Sequence, residues 1–247
     1  MRNLSDKKYW NNVWREEERN EIMSFIFAPL LAKYLPVLEN KTYFEIGCAP
    51  GTIMAFFNKV YGCMVSGIDY TDSEMIQKCL SRLDVNDYEL FSDDFLEFNP
   101  GGGGGYDIVA SFGFIEHFTD TGDIFARHRR LLNEGGYLII EMPNLRYFNK
   151  IIYSLFDKEL LKIHNLNAMS PNVISELAGE FDILYCDYYK STLFDFNKDS
   201  AELSKIPAIK SLFLFISKII RALRLDNIPN RFFSPYIVFI GKLKSSC

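Results

Sequence analysis

Residues 42–52, TYFEIGCAPGT, decide how the rest of the chain is read. Tyr43, Phe44 and Ile46 are β-favouring residues in a short apolar run, so the stretch begins as a buried strand. Gly47, Pro50 and Gly51 then impose a tight turn, and Ile53 to Tyr61 carries a helical pattern. Glycine lets a backbone approach a ligand closely, and a helix N-terminus presents free N–H donors. Strand, glycine turn and helix together predict a nucleotide-type binding corner.

The same rhythm repeats downstream. Strands are predicted at Met64–Tyr70, Tyr88–Ser92, Tyr106–Phe112 and Tyr137–Met142, with a turn at Gly135-Gly136 before the last of these. Thr71-x-x-Glu74 reads as a capping box opening a helix to Leu83, and a further helix spans Asp123–Leu132. Strands alternating with helices imply an α/β, Rossmann-like, doubly wound parallel sheet.

Before this core, Ser5 or Asp6 can cap a helix carrying Tyr9, Trp10 and Trp14, and a second helix is predicted from Glu21 to Leu35, ending at Pro36. After Pro143, residues 144–180 read as helical. They are followed by a strand at Phe181–Tyr189, an amphipathic helix over 204–225 and a closing strand at Tyr236–Lys242. The last two strands fit an antiparallel edge pair. The organisation expected is one domain over 1–247: a helical cap (1–40), a core (41–143), a helical insertion (144–180) and C-terminal strands with their helix (181–247). Five glycines at 101–105 read as a surface loop.

Composition narrows the class. The chain has 247 residues, 48% of them apolar, enough for a sizeable core. Its formal net charge of −5 argues against a nucleic-acid partner. The charge is uneven: residues 201–247 hold eight Lys or Arg against two Asp or Glu. A basic segment on an acidic body suits an anionic substrate or peripheral contact with a membrane surface, and equally a solvated basic face. Five scattered cysteines without a CxxC pair predict a reducing compartment and no metal site. The N-terminal stretch is polar and aromatic, unlike a signal peptide, and no apolar run reaches the roughly 18 residues of a membrane span. A cytoplasmic protein is expected.

Four features gather where the C-terminal strand ends should lie. They are Glu45/Gly47/Gly51, Asp69, Asp93-Asp94-Phe95, and Phe114-Ile115-Glu116-His117-Phe118. In a doubly wound sheet these ends line one crevice. An acid ending the second strand can accept from two ribose hydroxyls, and an acid beside a Phe after the third can hold an adenine amine and ring.

On these residues the chain resembles the class I S-adenosylmethionine-dependent methyltransferases of small-molecule type. The E-x-G-x-x-x-G of the first strand, GID at 67–69, SDDF at 92–95, YDIV followed by EHF, and LLNEGGYLIIEMPN at 131–144 match that family's motifs in order, across about residues 40–144. The resemblance implies a seven-stranded sheet with its last strand antiparallel, and S-adenosylmethionine as cofactor, leaving as S-adenosylhomocysteine. It places Glu45 and Gly47 by the methionine moiety, Asp69 at the ribose, and Asp94 with Phe95 at the adenine, with Tyr70 and Asp93 also in the cofactor set. Cys48, Ala49 and Gly51 of the turn, and Ser111, Phe112 and Gly113 after the fourth strand, complete the cofactor set. Ala49 stands where a third glycine is usual and breaks the dehydrogenase pattern G-x-G-x-x-G. The signatures of ribosomal-RNA and amino-methylating DNA enzymes are absent.

Methyl transfer to an alcohol needs a base. His117 and His164 are the candidates, the first equally able to orient the cofactor loop; His128, among Arg127, Arg129 and Arg130, reads as surface or packing. Glu116, Asn144, Arg146 and Tyr147 are candidate acceptor contacts, Arg146 for a phosphate. Tyr9, Trp10 and Trp14 either close over the cofactor or pack in the core. The insertion and the closing segment resemble methyltransferases of surface-polysaccharide clusters. They imply a sugar acceptor, nucleotide-linked or a capsule or lipopolysaccharide precursor. The alternatives are a quinone- or lipid-type enzyme, an RNA methyltransferase, or a non-catalytic protein that keeps the cofactor fold as a binding module.

Overall fold

The computed structural model describes residues 2–15, 25–99, 105–191 and 228–245, with single positions at 211, 215, 218, 219, 222 and 223. The chain runs α1 (Lys7–Arg15), α2 (Ala28–Tyr34), β1 (Thr42–Ile46), α3 (Thr52–Tyr61), β2 (Met64–Ile68), α4 (Ser73–Arg82), β3 (Tyr88–Phe91) and β4 (Tyr106–Phe112). It continues with a 3-10 turn (Ile115–His117), α5 (Thr121–Arg130), β5 (Leu132–Pro143), α6 (Tyr147–Phe156), α7 (Lys158–Lys162), α8 (Pro171–Leu177), β6 (Phe181–Tyr189) and β7 (Tyr236–Leu243).

The strands form one seven-stranded sheet in the order β3-β2-β1-β4-β5-β7-β6. The pairings among β1 to β5 are parallel, and β7 is antiparallel to both β5 and β6. The doubly wound sheet with its antiparallel last strand is therefore as expected. Period-two alternation explains why both faces are covered. In β1, Tyr43 packs with Leu31, Met54 and Phe57 on one side, while Phe44 and Ile46 pack with Phe125, Leu138 and Ile174 on the other.

Several boundaries differ from expectation, each for a local reason. The helix after β2 is capped by Asp72, which accepts from the Glu74 N–H at 3.1 Å, so the Thr71 capping box does not form. The backbone N–H of Thr71 instead donates to Asp69 Oδ1. Asp120 caps α5, which starts at Thr121, two residues before the predicted start. Gly135-Gly136 lies inside β5, which begins at Leu132; its pairing with β4 shifts register there and Gly135 takes φ +73°. α2 begins only at Ala28, with Pro29 in its first turn. The expected helix start at 21–24, glycine positions 101–104 and most of 204–225 lie outside the described residues; Ile219 and Leu223, described within that segment, are exposed. Among the described residues no helix is long and apolar enough to cross a membrane.

Candidate active site

The C-terminal ends of β1, β2, β3 and β4 open on one pocket. Gly47, Asp69, Tyr70, Asp93, Asp94, Phe95, Phe112, Gly113 and His117 line it, as do Phe114 and Phe118. Asn3, Ser5, Trp10 and Trp14 close it from the N-terminal segment.

The turn after β1 is built to bring backbone close. Gly47 takes φ +73°, and a Cβ there would lie 2.7 Å from the Phe114 ring. Its N–H donates to the Ile68 carbonyl, which joins the ends of β1 and β2. Asp69 fastens the same corner: its Oδ2 accepts from the Ala49 N–H at 3.0 Å and its Oδ1 from the Thr71 N–H at 2.8 Å. Gly51, at φ +102°, serves packing, since a Cβ there would press on Ile76 and Leu80 of α4. Cys48, Ala49, Gly51 and Ser111 stand behind the lining. Burial, with Asp69 next, pushes the Cys48 thiol well above its usual value, so it is no nucleophile.

Glu45 is also behind the wall. The Tyr43 hydroxyl donates to its Oε2 at 3.0 Å. Burial raises its carboxyl well above the ordinary range, Tyr43 opposes this, and Asp69 adds to it. Asp93 and Asp94 are exposed at the rim, whereas Phe95 beside them is buried, edge-on to Phe114 at 5.7 Å.

The N-terminal segment is strapped across the opening. Asn3 bridges Phe118, Leu4 N–H donates to the His117 carbonyl at 2.7 Å, and Thr119 N–H donates to the Arg2 carbonyl. Trp10 Nε1–H donates to Ser5 Oγ at 2.9 Å. The Trp10 ring stacks on Trp14 at 5.7 Å and meets His117 edge-on at 5.0 Å. Trp10 and Trp14 thus face the pocket. Asn3 had no periodic signal; only its pairing with Phe118, 115 positions away, reveals it.

His117 and His164 come together, their ring centroids 4.4 Å apart. The backbone of α7 and of the residue that follows it holds both: His117 Nδ1 lies 2.8 Å from the Ile163 carbonyl and His164 Nδ1 2.6 Å from the Leu160 carbonyl. A carbonyl only accepts, so each Nδ1 carries the hydrogen and each Nε2 keeps a lone pair. Burial, with His164 next, lowers the His117 pKa to about 3; burial lowers that of His164 to about 4. Both rings are neutral at pH 7. Glu116 beside them is fully buried, and among the described residues neither carboxyl oxygen has a hydrogen-bond partner. Burial, then Glu141, raises its carboxyl well above the usual range.

His128 is core: its Nδ1–H donates to the Ile124 carbonyl, and its Nε2 accepts from Ser111 Oγ at 2.9 Å. Asn144, Arg146 and Tyr147 stand apart from this pocket. The Asn144 amide is buried and donates to the carbonyls of Arg231 and Ser234. Arg146 and Arg231 both lie over the Tyr147 ring, 5.1 and 5.8 Å from its centroid.

Residues 14–181 match the methyltransferase domain family, and the chain belongs to it. The protein is a methyltransferase whose methyl donor is S-adenosylmethionine. No curated protein sequence matches the chain. Three of the solved structures that share the fold serve as examples. One, named as a sarcosine dimethylglycine methyltransferase from Galdieria sulphuraria, is 15% identical with TM-score 0.62, covering 96% of this chain and 98% of that one. The N-methyltransferase NodS from Bradyrhizobium japonicum WM9, in complex with S-adenosylhomocysteine, is 13% identical with TM-score 0.58, covering 97% and 100%. A phosphoethanolamine N-methyltransferase from Haemonchus contortus is 20% identical with TM-score 0.58, covering 88% of this chain and 52% of that one. The pocket fits the donor: a side-chain-free approach at Gly47, an acid at the end of β2, and acids beside a buried Phe after β3.

Proposed function

We propose that the protein transfers a methyl group to a hydroxyl of a small polar acceptor, a sugar carried on a diphosphate or in a capsule or lipopolysaccharide precursor, with His117 as the proton acceptor. The observation that carries this reading is the His117 imidazole. It lines the pocket neutral, with its Nδ1–H spent on Ile163 and its Nε2 lone pair available.

S-adenosylmethionine, when bound, supplies a methyl already activated on a sulfonium. What remains for the protein is placement and removal of the acceptor's proton. Gly47 admits the donor's main chain. Asp69, though engaged by two backbone N–H groups, lines the pocket and offers its remaining lone pairs to ribose hydroxyls. Asp94 and Phe95 suit an adenine amine and ring. Trp10, Trp14 and Tyr70 line the site beside these groups. Glu45, Cys48, Ala49, Gly51 and Ser111 support these positions from behind.

The sugar assignment draws on the helical insertion at 144–180. Two guanidinium groups, Arg146 and Arg231, converge over Tyr147 and suit a diphosphate. Asn144 holds the segment that carries Arg231.

The test titrates S-adenosylhomocysteine by calorimetry, then assays methyl transfer over a panel of nucleotide sugars. Asp69→Ala is expected to weaken cofactor binding at least tenfold. At saturating cofactor His117→Ala is expected to lower kcat by 100-fold or more. Near-normal turnover in that variant removes His117 as the base, and transfer only to amines overturns the hydroxyl assignment.

A further inference from the structure

Glu116, His117 and His164 form a cluster that base catalysis alone does not account for. One ligand atom from each lies within 4.8 Å of the other two. His117 Nε2 is 3.8 Å from Glu116 Oε1. The two segments are laced together, since Asn165 N–H donates to the Glu116 carbonyl at 2.7 Å and Asn165 Nδ2–H to the Phe118 carbonyl at 3.0 Å.

Three details suit a cation. Both imidazoles spend Nδ1–H on backbone carbonyls, the arrangement that orients metal-binding histidines and leaves Nε2 free to coordinate. Glu116 is fully buried, yet among the described residues its two oxygens have no hydrogen-bond partner. An unpaired buried carboxyl is costly, and a coordinated ion removes that cost. The gathering of two nitrogens and one carboxylate matches the borderline divalent ions, and three protein ligands leave coordination positions open.

We propose that Glu116, His117 and His164 bind one divalent transition-metal ion, of the zinc or manganese class, at the wall of the methyl-transfer pocket. Bonds of about 2.0–2.2 Å place tetrahedral ligand atoms roughly 3.3 Å apart, so the ion draws the three groups together by side-chain rotation. The inference rests on the methyl-transfer reading for its purpose and revises one step of it. With the ion bound both Nε2 atoms are occupied. The acceptor hydroxyl, coordinated through oxygen, releases its proton to water more readily. Its oxygen lone pair then forms the C–O bond as the C–S bond breaks, and the sulfonium leaves as a neutral thioether.

The test uses the full chain, stripped with chelator and dialysed. Zinc sulfate and manganese chloride are titrated by calorimetry, cobalt chloride by visible absorption, and S-adenosylhomocysteine in parallel. One ion per chain is expected, with cobalt bands in the wild type. Glu116→Gln and His164→Ala are each expected to weaken ion binding at least tenfold while S-adenosylhomocysteine binds within threefold of wild type. Cofactor binding without any ion binding overturns the site and leaves the methyl-transfer reading standing. Ion affinity equal to that of the wild type in both variants also overturns it. Ion binding without cofactor binding supports the site and overturns the methyl-transfer reading.

Discussion

The Phe114 ring occupies the space where a side chain on Gly47 would begin, 2.7 Å from that Cβ position. The contact joins the turn after β1 to the segment after β4, and both line the pocket. Gly47→Ala must therefore strain a backbone at φ +73° and displace the ring. The positive φ alone costs about 1–2 kcal/mol. Thermal unfolding is expected to show that loss, and calorimetry a weakening of S-adenosylhomocysteine binding by tenfold or more. Unchanged affinity would mean that the turn does not face the cofactor.

The chain has two tryptophans, and both line the pocket. Intrinsic tryptophan fluorescence therefore reports on the site directly. Saturating S-adenosylhomocysteine is expected to change the emission. Trp10→Phe, which also loses the bond to Ser5, is expected to loosen the strap and speed proteolytic cleavage within residues 2–15.

His128 gives a pH signature. Burial lowers its pKa from 6.5 to about 4, so the unfolded chain takes up a proton before the folded one does. The contribution of the neutral ring is complete above pH 6.5 and is lost as pH falls towards 4. It approaches about 3 kcal/mol across that window. Denaturant unfolding between pH 7 and 4 is expected to show a shallower loss for His128→Gln than for wild type; parallel curves would contradict the assignment.

How much of this was legible in the sequence depends on the range of the interaction. β4 and β6 have the bounds their residues predict, because a β-branched and aromatic run ending in a turn is a local signal. The Gly135-Gly136 pair misled for a physical reason: glycine permits a bulge inside a paired strand as readily as a turn between elements. Thr71 and Asp72 are both good caps, and Asp69 decides between them by taking the Thr71 N–H. His117 and His164 could each be named as a candidate. Their meeting depends on how the helical insertion folds back over the 3-10 turn, which no local pattern specifies. The same is true of Asn3 against Phe118.

Asn144 illustrates the difference between a residue near a site and one that builds it. Its amide satisfies two carbonyls of the 231–234 segment, and its backbone N–H donates to the Pro235 carbonyl at 2.7 Å. Asn144→Ala is expected to cost about 1–3 kcal/mol of stability by leaving buried polar groups unpaired. Cofactor affinity should stay within threefold of wild type. An Asn144→Ala protein of unchanged melting temperature would contradict this.

The position of β7 has a consequence for how the molecule is made. It lies between β5 and β6, although its residues follow both in the chain. During synthesis β6 has no strand to pair with until residues 236–243 have left the ribosome. The sheet through β5 can assemble while translation continues, but its far edge stays open and β6 unpaired until β7 is available. Nascent chains stalled before residue 236 should therefore engage holdase chaperones more persistently than chains released after 243.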